Sequence, residues 1–471
     1  MKKIGTIYMI GIKGVGMTML AQFLAAAGNK VIGSDVSETF LTDAVLKKSG
    51  IRVKTPFAVS NIPAKIDLVI YSSAFKAENN VELKYLETKK NKDKKVPIIC
   101  YAQALGELFN SYKGVAVCGS HGKTTTTAWL AYVLSKAGKE PKALIGSRVP
   151  QLGGSALNGK SKLLVAEVDE YQNKLKYFQP VGVLLNNIDY DHPDFFKNEK
   201  AYNQVFIDFV KKIPASGFLI IDGYDKKSVA AAKHSRGQVI SYGLAAKEMA
   251  WTKVTVNYQA RNVRVKGAYQ YFLLNNLGEF KIKLWGEHNI KNALAVIAAA
   301  RKLGVSLANI KKYLAQFKGT ARRGQVLGKY KGAIIIDDYA HHPTEIKATL
   351  EGISAYWPKK NIRVIFHPHT FTRTKALFSD FVTSFSRAHE LTILDIYGSA
   401  REKKGGTSSQ ILVKAIKAEN KKRKLKQRLE NLKDIKAATY YLKQTAKAGE
   451  VIVLMGAGDV FRVADNLFIK K

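Results

Sequence analysis

Cysteine is scarce in this 471-residue chain: Cys100 and Cys118 are its whole complement. Two thiols build neither a disulfide framework nor a metal cluster, and both fit a reducing cytosol as small core residues. Acidic residues are also few. Against 76 Lys and Arg stand 37 Asp and Glu, a formal net charge of +39. Such a surface attracts anions, and nucleic acid or an anionic membrane would bind it non-specifically. The lysines are spread widely, though, and no RNA-binding motif with interleaved aromatics accompanies them, so no specific nucleic-acid partner is expected. Long hydrophobic runs are missing too: no stretch reaches the ~18–20 apolar residues of a membrane helix. Lys2 and Lys3, an apolar stretch and Ala25-Ala26-Ala27 imitate a secretory leader, but Lys13 interrupts the apolar part. A cytoplasmic protein without membrane insertion is the expectation.

What is present is a folded enzyme's composition. Hydrophobic residues make up 46%, enough for each part to bury a core. At ~150 residues per domain the length suggests about three domains. The organising stretch is Val115–Leu130, VAVCGSHGKTTTTAWL. An apolar run is broken by Gly119 and Gly122, and a helical pattern starts after Lys123. Strand, tight turn and helix are the setting of a phosphate loop, whose backbone N–H groups converge on one anion. Gly119, Ser120, His121, Gly122, Lys123, Thr124 and Thr125 are therefore nucleotide-binding candidates. Lys123 can reach the outer phosphates, and the Thr124 hydroxyl can ligate Mg²⁺. A helix start capped by threonines, with Lys123 on the surface, has the same local pattern.

Three further regions carry strand-exit loops, where α/β folds place their ligands. Near the N-terminus, Thr6–Ile10 reads as a strand, followed by Gly11-Ile12-Lys13-Gly14-Val15-Gly16 and a helix over Met19–Ala27. Asp35 follows the next strand, about where an acid can meet a ribose hydroxyl, and Ser73 follows the strand Leu68–Tyr71. The same glycines also permit close helix–strand packing. In the middle, Leu163–Ala166 ends at Glu167-Val168-Asp169-Glu170, placing an acid where a Mg²⁺ ligand belongs. Val181–Leu185 runs into Asn186–Asp194, whose three aspartates and His192 suggest a hard-metal site or a polar loop of capping aspartates. Val254–Lys281 alternates like antiparallel strands. A helix then opens with His288 and Asn289, and Asn292 can read an adenine edge through its amide. In the last third, Gly319–Gln325 reads as a hinge carrying Arg322 and Arg323. Four apolar strands follow, at Ala333–Ile336, Arg363–Phe366, Leu391–Leu394 and Val451–Leu454. The first three end in loops bearing Asp338, His341, His369, Arg373 and Arg401.

These residues resemble the Mur ligases. The likeness runs through Gly11–Met17, Gly119–Thr126, Asn187–His192, Gly286–Ala295, Asp337–Glu345, His367–Thr374 and Asp395–Glu402. Asp337–Glu345 and Tyr397–Glu402 point to the alanine-adding branch or its nearest relative, the branch that attaches a preformed tripeptide. The resemblance implies an α/β fold of three domains: a Rossmann-like UDP-sugar domain over residues 1–110, a P-loop ATPase-like domain with a parallel sheet and an antiparallel portion over 111–322, and a Rossmann-like domain admitting the amino acid over 323–471. It implies that ATP, with Mg²⁺, converts the lactyl carboxylate of UDP-N-acetylmuramate to an acyl phosphate, which the amine of L-alanine attacks, in a monomer or homodimer. By similarity, Lys123 holds the outer phosphates, Thr124 and Glu167 bind one Mg²⁺ and His192 a second. Asn292 and His288 lie at the base, and Arg323 and Asp338 contact the nucleotide. His341, His369 and Arg373 face the acyl phosphate and the amine. Gly14, Val15 and Gly16 approach the UDP diphosphate, with Asp35 and Ser73 nearby. A non-catalytic, basic nucleic-acid-binding protein on the same scaffold is the alternative from a different class.

Overall fold

The structure is a computed structural model and describes residues 4–93, 96–245, 255–398 and 405–469. Within them the chain builds three sheets in succession. The first is wholly parallel. Thr6–Ile10 lies at its centre, between Lys30–Ser34 and Leu68–Tyr71, and Arg52–Lys54 and Ile98–Cys100 form the edges. Continuous apolar runs suit these strands because both faces are covered. The helix Val15–Ala26 starts four residues before the sequence pattern suggests, directly on Gly14 as its N-cap.

The second sheet has ten strands. Lys113–Cys118 sits between Leu163–Glu167 and Gly182–Leu185, parallel to both. The loop after it therefore opens where neighbouring connections diverge to opposite sides, the position at which open α/β sheets bind ligands. The expected antiparallel portion is a meander of Tyr258–Lys266, Tyr269–Leu274 and Glu279–Ile282 at one edge; Val254 lies outside the described residues. The helix Lys123–Lys136 is buried along most of its length, with Trp129 stacked on Phe317 at 5.2 Å.

The third sheet takes the four strands expected from the sequence, in the order Ala333–Asp338, Glu450–Met455, Asn361–Phe366 and Glu390–Leu394. All are parallel neighbours, flanked by antiparallel Gln325–Tyr330 and parallel Arg428–Leu432. Their C-terminal loops consequently share one edge. Of the loop after Glu390–Leu394, Ser399, Ala400, Arg401 and Glu402 lie outside the described residues.

The segment Gly319–Gln325, read from the sequence as a hinge, is anchored to the third sheet's loops through Arg322. Arg322 adopts a left-handed conformation (φ 61°) and donates from one guanidinium nitrogen to the carbonyls of Gly456 and Gly458, both at 2.8 Å. Its neighbour Arg323 shares the Tyr339 ring with it, at 4.8 Å against 4.9 Å, but extends toward Glu345 at 3.9 Å.

Candidate active site between the central and third sheets

Gly122 shows why the phosphate loop takes its shape. Its φ is +78°, and a Cβ there would lie 2.5 Å from Oδ1 of Asn292 and 2.9 Å from Nδ2 of Asn186. Only glycine accepts both the left-handed backbone and that approach. The loop thus lies flat on two asparagines and turns into the helix Lys123–Lys136. The ammonium of Lys123 donates to the carbonyls of Gly119 (2.6 Å) and Ser120 (3.2 Å) and pairs with Glu170 at 3.0 Å. Burial works against its charge, but Glu170, Asp169 and Glu167 outweigh burial and hold its pKa well above the ordinary lysine value.

Thr124 and Glu167 are in contact. The Thr124 hydroxyl donates to Oε1 of Glu167 at 2.9 Å, and Gly146 N–H donates to Oε2 at 2.8 Å. Two cis oxygens on an octahedral Mg²⁺ stand about 2.9 Å apart at Mg–O distances of 2.0–2.1 Å. The spacing of the two oxygens therefore suits Mg²⁺. His192 belongs to a neighbouring group with Asp169 and Glu170. It has φ 57° and stacks on Tyr171 at 4.4 Å, with Nε2 3.8 Å from Glu170.

The three aspartates of the Asn186–Asp194 loop do not form one metal site. Their carboxylates go to separate partners: Asp189 to His121 (2.9 Å) and Thr344 (2.7 Å), Asp191 to Arg373, and Asp194 to the Tyr171 hydroxyl (2.7 Å). The contacts of Asp189 with Thr344 and of Asp191 with Arg373 cross from the central sheet to the third. His121 also meets Glu345 through Nδ1 at 3.2 Å. Burial lowers the pKa of His121, but the hydrogen bonds with Asp189 and Glu345 prevail and hold it at about 9. Burial raises Asp189, yet His121 and Thr344 bring it down to about 2.

This His121 contact has a pH signature. A folded-state pKa raised from 6.5 to about 9 gives stabilisation that is complete below pH 6.5 and lost as pH rises through about 9. Thermal unfolding should therefore show a fall in Tm between pH 7 and pH 10 that His121→Asn removes. Equal slopes in the two proteins would show that the charged contact contributes nothing.

Beside the loop lies a cavity of about 490 Å³, lined by residues of both sheets. That volume suits a nucleotide-sized ligand. It gathers His121, Gly122, Thr125, His288, Asn292, Arg323 and Asp338 from the sequence candidates. Asn292 accepts from the Thr126 hydroxyl (3.2 Å) and donates to Asn289 (3.2 Å), so part of its amide is spent within the wall. The adjacent Asn186 Oδ1 and His288 Nδ1 are buried with no hydrogen-bond partner among the described residues. Burial brings the His288 pKa down to about 4, so the ring is neutral. Asp338 accepts from Gly324 N–H and Ala340 N–H, both at 2.7 Å, and burial raises its pKa to about 6.

Arg373 reaches Asp191 from the helix Phe371–Ala376, with Nε at 3.1 Å and a terminal nitrogen at 3.0 Å from Oδ1. Thr370 starts that helix. Its φ of 70° is unfavourable for a β-branched residue, and its hydroxyl accepts from Arg373 N–H at 3.4 Å. The His341 side chain meets the Tyr339 carbonyl at 3.0 Å and Glu345 at 3.3 Å. Burial and then Arg373 push its pKa down to about 3. His369 stacks on Tyr397, with ring centroids 5.8 Å apart.

The N-terminal candidates form a separate group. Asp35 accepts from Lys13 N–H (2.6 Å) and Val36 N–H (2.8 Å), so its carboxylate orders the glycine turn. Ser73 lies partly buried in the turn after Leu68–Tyr71, and Val15 is exposed. The two glycines differ. A Cβ on Gly16 would lie 2.6 Å from the Tyr101 hydroxyl, whereas Gly14 has nothing nearer than 3.6 Å. Tyr101 carries this contact toward the central sheet, where Asp169 and Glu167 add to the burial that raises its pKa. Gly16→Ala should therefore cost about 1–3 kcal/mol through overpacking, and Gly14→Ala distinctly less. Urea unfolding of the two variants checks the contrast, and equal losses would remove Tyr101 as its cause.

Glu170 beneath Lys123 and Glu345, to which the sequence assigned no role, prove central, and Asp189 and Asp191, read there as metal ligands or capping residues, hold His121 and Arg373 instead. Their signal was the dense acid content of strand-exit loops, which marks the region and not the partner.

Three α/β sheets in series, with a phosphate loop at the switch point of the second and a nucleotide-sized cavity closed by the third, define a multidomain nucleotide-dependent enzyme. Family models agree: "Mur ligase family, catalytic domain" matches residues 6–113, "Mur ligase middle domain" 117–300 and "Mur ligase, glutamate ligase domain" 322–458. The UDP-N-acetylmuramate–L-alanine ligase of Caldanaerobacter subterraneus subsp. tengcongensis is 36% identical, covering 99% of this chain and 98% of that protein. The enzyme of the same name from Aquifex aeolicus is 34% identical over 100% and 98%. Among solved structures, the UDP-N-acetylmuramate–alanine ligase of Thermotoga maritima superposes with a TM-score of 0.80 at 24% identity over 98% of both chains. The murein peptide ligase of Psychrobacter arcticus gives 0.71 at 24% over 99% of both. The chain belongs to the Mur ligase family.

Proposed function

We infer that this protein joins L-alanine to the lactyl carboxylate of UDP-N-acetylmuramate at the expense of ATP, in peptidoglycan precursor synthesis. The observation that carries this reading is end-to-end similarity, at 34–37% identity, to relatives that bear that activity in their names. The site chemistry supports it. A carboxylate is a poor acylating agent, so the γ-phosphoryl group of ATP moves to a carboxylate oxygen and ADP leaves. The amine then attacks the carbonyl carbon, and phosphate leaves with the second bond cleavage. No covalent enzyme intermediate is required.

In this reading Lys123 and the phosphate-loop N–H groups hold the outer phosphates. Thr124 and Glu167 would hold one Mg²⁺ and His192 would help hold a second, and the ions would supply positive charge to offset that of the phosphoryl group. Asn292 and His288 line the base end of the cavity, with Arg323 and Asp338 contacting the nucleotide from the third domain. His341, His369 and Arg373 face the acyl phosphate and the amine. Gly14, Val15 and Gly16 admit the UDP diphosphate beside Asp35 and Ser73. A cytoplasmic setting suits these substrates, and no helix of the described residues is long and apolar enough to cross a membrane.

The test is phosphate release from ATP with UDP-N-acetylmuramate and either L-alanine or the murein tripeptide. Release with L-alanine is expected. Release with the tripeptide alone would move the protein to the recycling branch, and salt-sensitive RNA binding without sugar-dependent ATP hydrolysis would remove it from catalysis.

A further inference from the structure

A second cluster of donor atoms stands outside the proposed Mg²⁺ ligands. We propose that His121, Asp189 and His342 form a binding site for a divalent transition-metal ion such as Zn²⁺ or Co²⁺, which bolts the phosphate loop to the third domain. The three come from the phosphate loop, the exit of Gly182–Leu185 and the N-cap of the helix Pro343–Tyr356. Their donor atoms all lie within 4.8 Å of one another. Oδ2 of Asp189 is 2.9 Å from Nε2 of His121 and 3.7 Å from Nδ1 of His342. Ligands held at about 2.0–2.1 Å from one zinc ion stand about 3–3.5 Å apart, so small adjustments suffice.

The donor chemistry selects the ion. Two imidazole nitrogens and one carboxylate suit Zn²⁺ or Co²⁺, whereas Mg²⁺ prefers all-oxygen ligands. The surroundings support the same use. Glu345 sits 3.2 Å from Nδ1 of His121 and keeps a hydrogen there, so loss of the Nε2 hydrogen leaves the Nε2 lone pair facing Asp189. A carboxylate behind a ligating histidine is the usual outer partner of a metal-bound imidazole. The Thr344 hydroxyl orients Asp189 from 2.7 Å. His342 is only 4% exposed, and its Nδ1 accepts the Thr344 N–H over a long 3.3 Å, so a lone pair is present at that atom. Metal binding displaces the hydrogen on Nε2 of His121 to solvent, and coordination takes the place of the His121–Asp189 hydrogen bond and of the long Thr344 N–H contact to His342.

The site exists only while the central and third domains are in contact. An ion bound there favours the closed arrangement by mass action and opposes the opening that releases product. Zn²⁺ is thus expected to act as a brake on turnover even in excess Mg²⁺.

The experiment titrates Co²⁺ into the full-length protein in excess Mg²⁺ and follows its visible d–d absorption. The variants are His342→Asn, Asp189→Asn and His192→Ala, each checked for folding by thermal melt. One equivalent of Co²⁺ should give an intense band in the wild type and in His192→Ala. His342→Asn and Asp189→Asn should bind at least about tenfold more weakly. Should either of those fail to fold, the other carries the comparison. Absence of a band in the wild type, or a band lost only in His192→Ala, overturns the proposal; the latter moves the ion to Asp169, Glu170 and His192.

Discussion

Replacing Lys123 by alanine is expected to lower turnover on the order of 10³-fold, because in the proposed function it is the preorganised cation on the transferring phosphoryl group. The same change has a structural cost of its own. Glu170 is 1% exposed at its side chain, and Lys123 is its ion-pair partner at 3.0 Å. Breaking one side of a buried pair costs about 3–5 kcal/mol. The Tyr202 hydroxyl, which donates to the other Glu170 oxygen at 3.0 Å, keeps the loss toward the lower end. The two effects separate in a double variant. Lys123→Ala with Glu170→Gln should recover most of the melting temperature, since no unpaired charge remains, while turnover stays low. Steady-state phosphate release and calorimetry read the two quantities. Turnover near wild type in Lys123→Ala would end the assignment of the phosphate loop.

Arg373→Ala should give the second large effect. Its guanidinium is 7% exposed and pairs with Asp191, which is 9% exposed, across the seam between the central and third sheets. Burial alone would raise the pKa of Asp191, but His192 and then Arg373 hold it far below the usual carboxylate range. Without Arg373 the carboxylate stays buried with only the neighbouring histidines to offset its charge. A loss of about 3 kcal/mol in stability and about 10²-fold in turnover is expected. Arg373→Lys should restore little, because a point-charge ammonium does not reproduce the fork that meets two oxygens. The sign with pH is fixed by the depressed pKa. The Asp191 contribution is present above the ordinary carboxylate pKa and lost as pH falls, so wild type and Arg373→Ala should converge in stability in acid. A double-mutant cycle with Asp191→Asn measures the coupling, and a value near zero would show that the seam is held by other contacts.

The candidate residues were easiest to find where local chemistry and position coincide. Lys123, Thr124 and Glu167 follow from a glycine turn and an acid at a neighbouring strand exit. Partners were harder. Glu170 and Asp169 are equivalent in the sequence, and only packing gives Lys123 to the first and Lys174 to the second. Arg322 and Arg323 are adjacent and identical in kind, yet one clamps Gly456 and Gly458 while the other lines the cavity. The third sheet shows the same division. Its strands, their polar exits and the alignment of those exits along one edge were legible as apolar runs in an open α/β pattern, but the strand order, with Glu450–Met455 inserted between Ala333–Asp338 and Asn361–Phe366, was not.

The amino-acid sequence by itself determined the α/β character, the phosphate loop, the strand exits and the family, because each is written in contiguous residues whose backbone and side-chain preferences act over a few positions. The tertiary structure alone decided that Asp189 and Asp191, two residues apart, reach His121 and Arg373, that Gly16 is shaped by Tyr101 while Gly14 is open, and that His121 meets Glu345 across the seam. Those pairings join residues separated by as many as 224 positions. They arise from how the sheets close on one another, and electrostatic preference in the chain cannot choose a partner before packing has brought the candidates within reach.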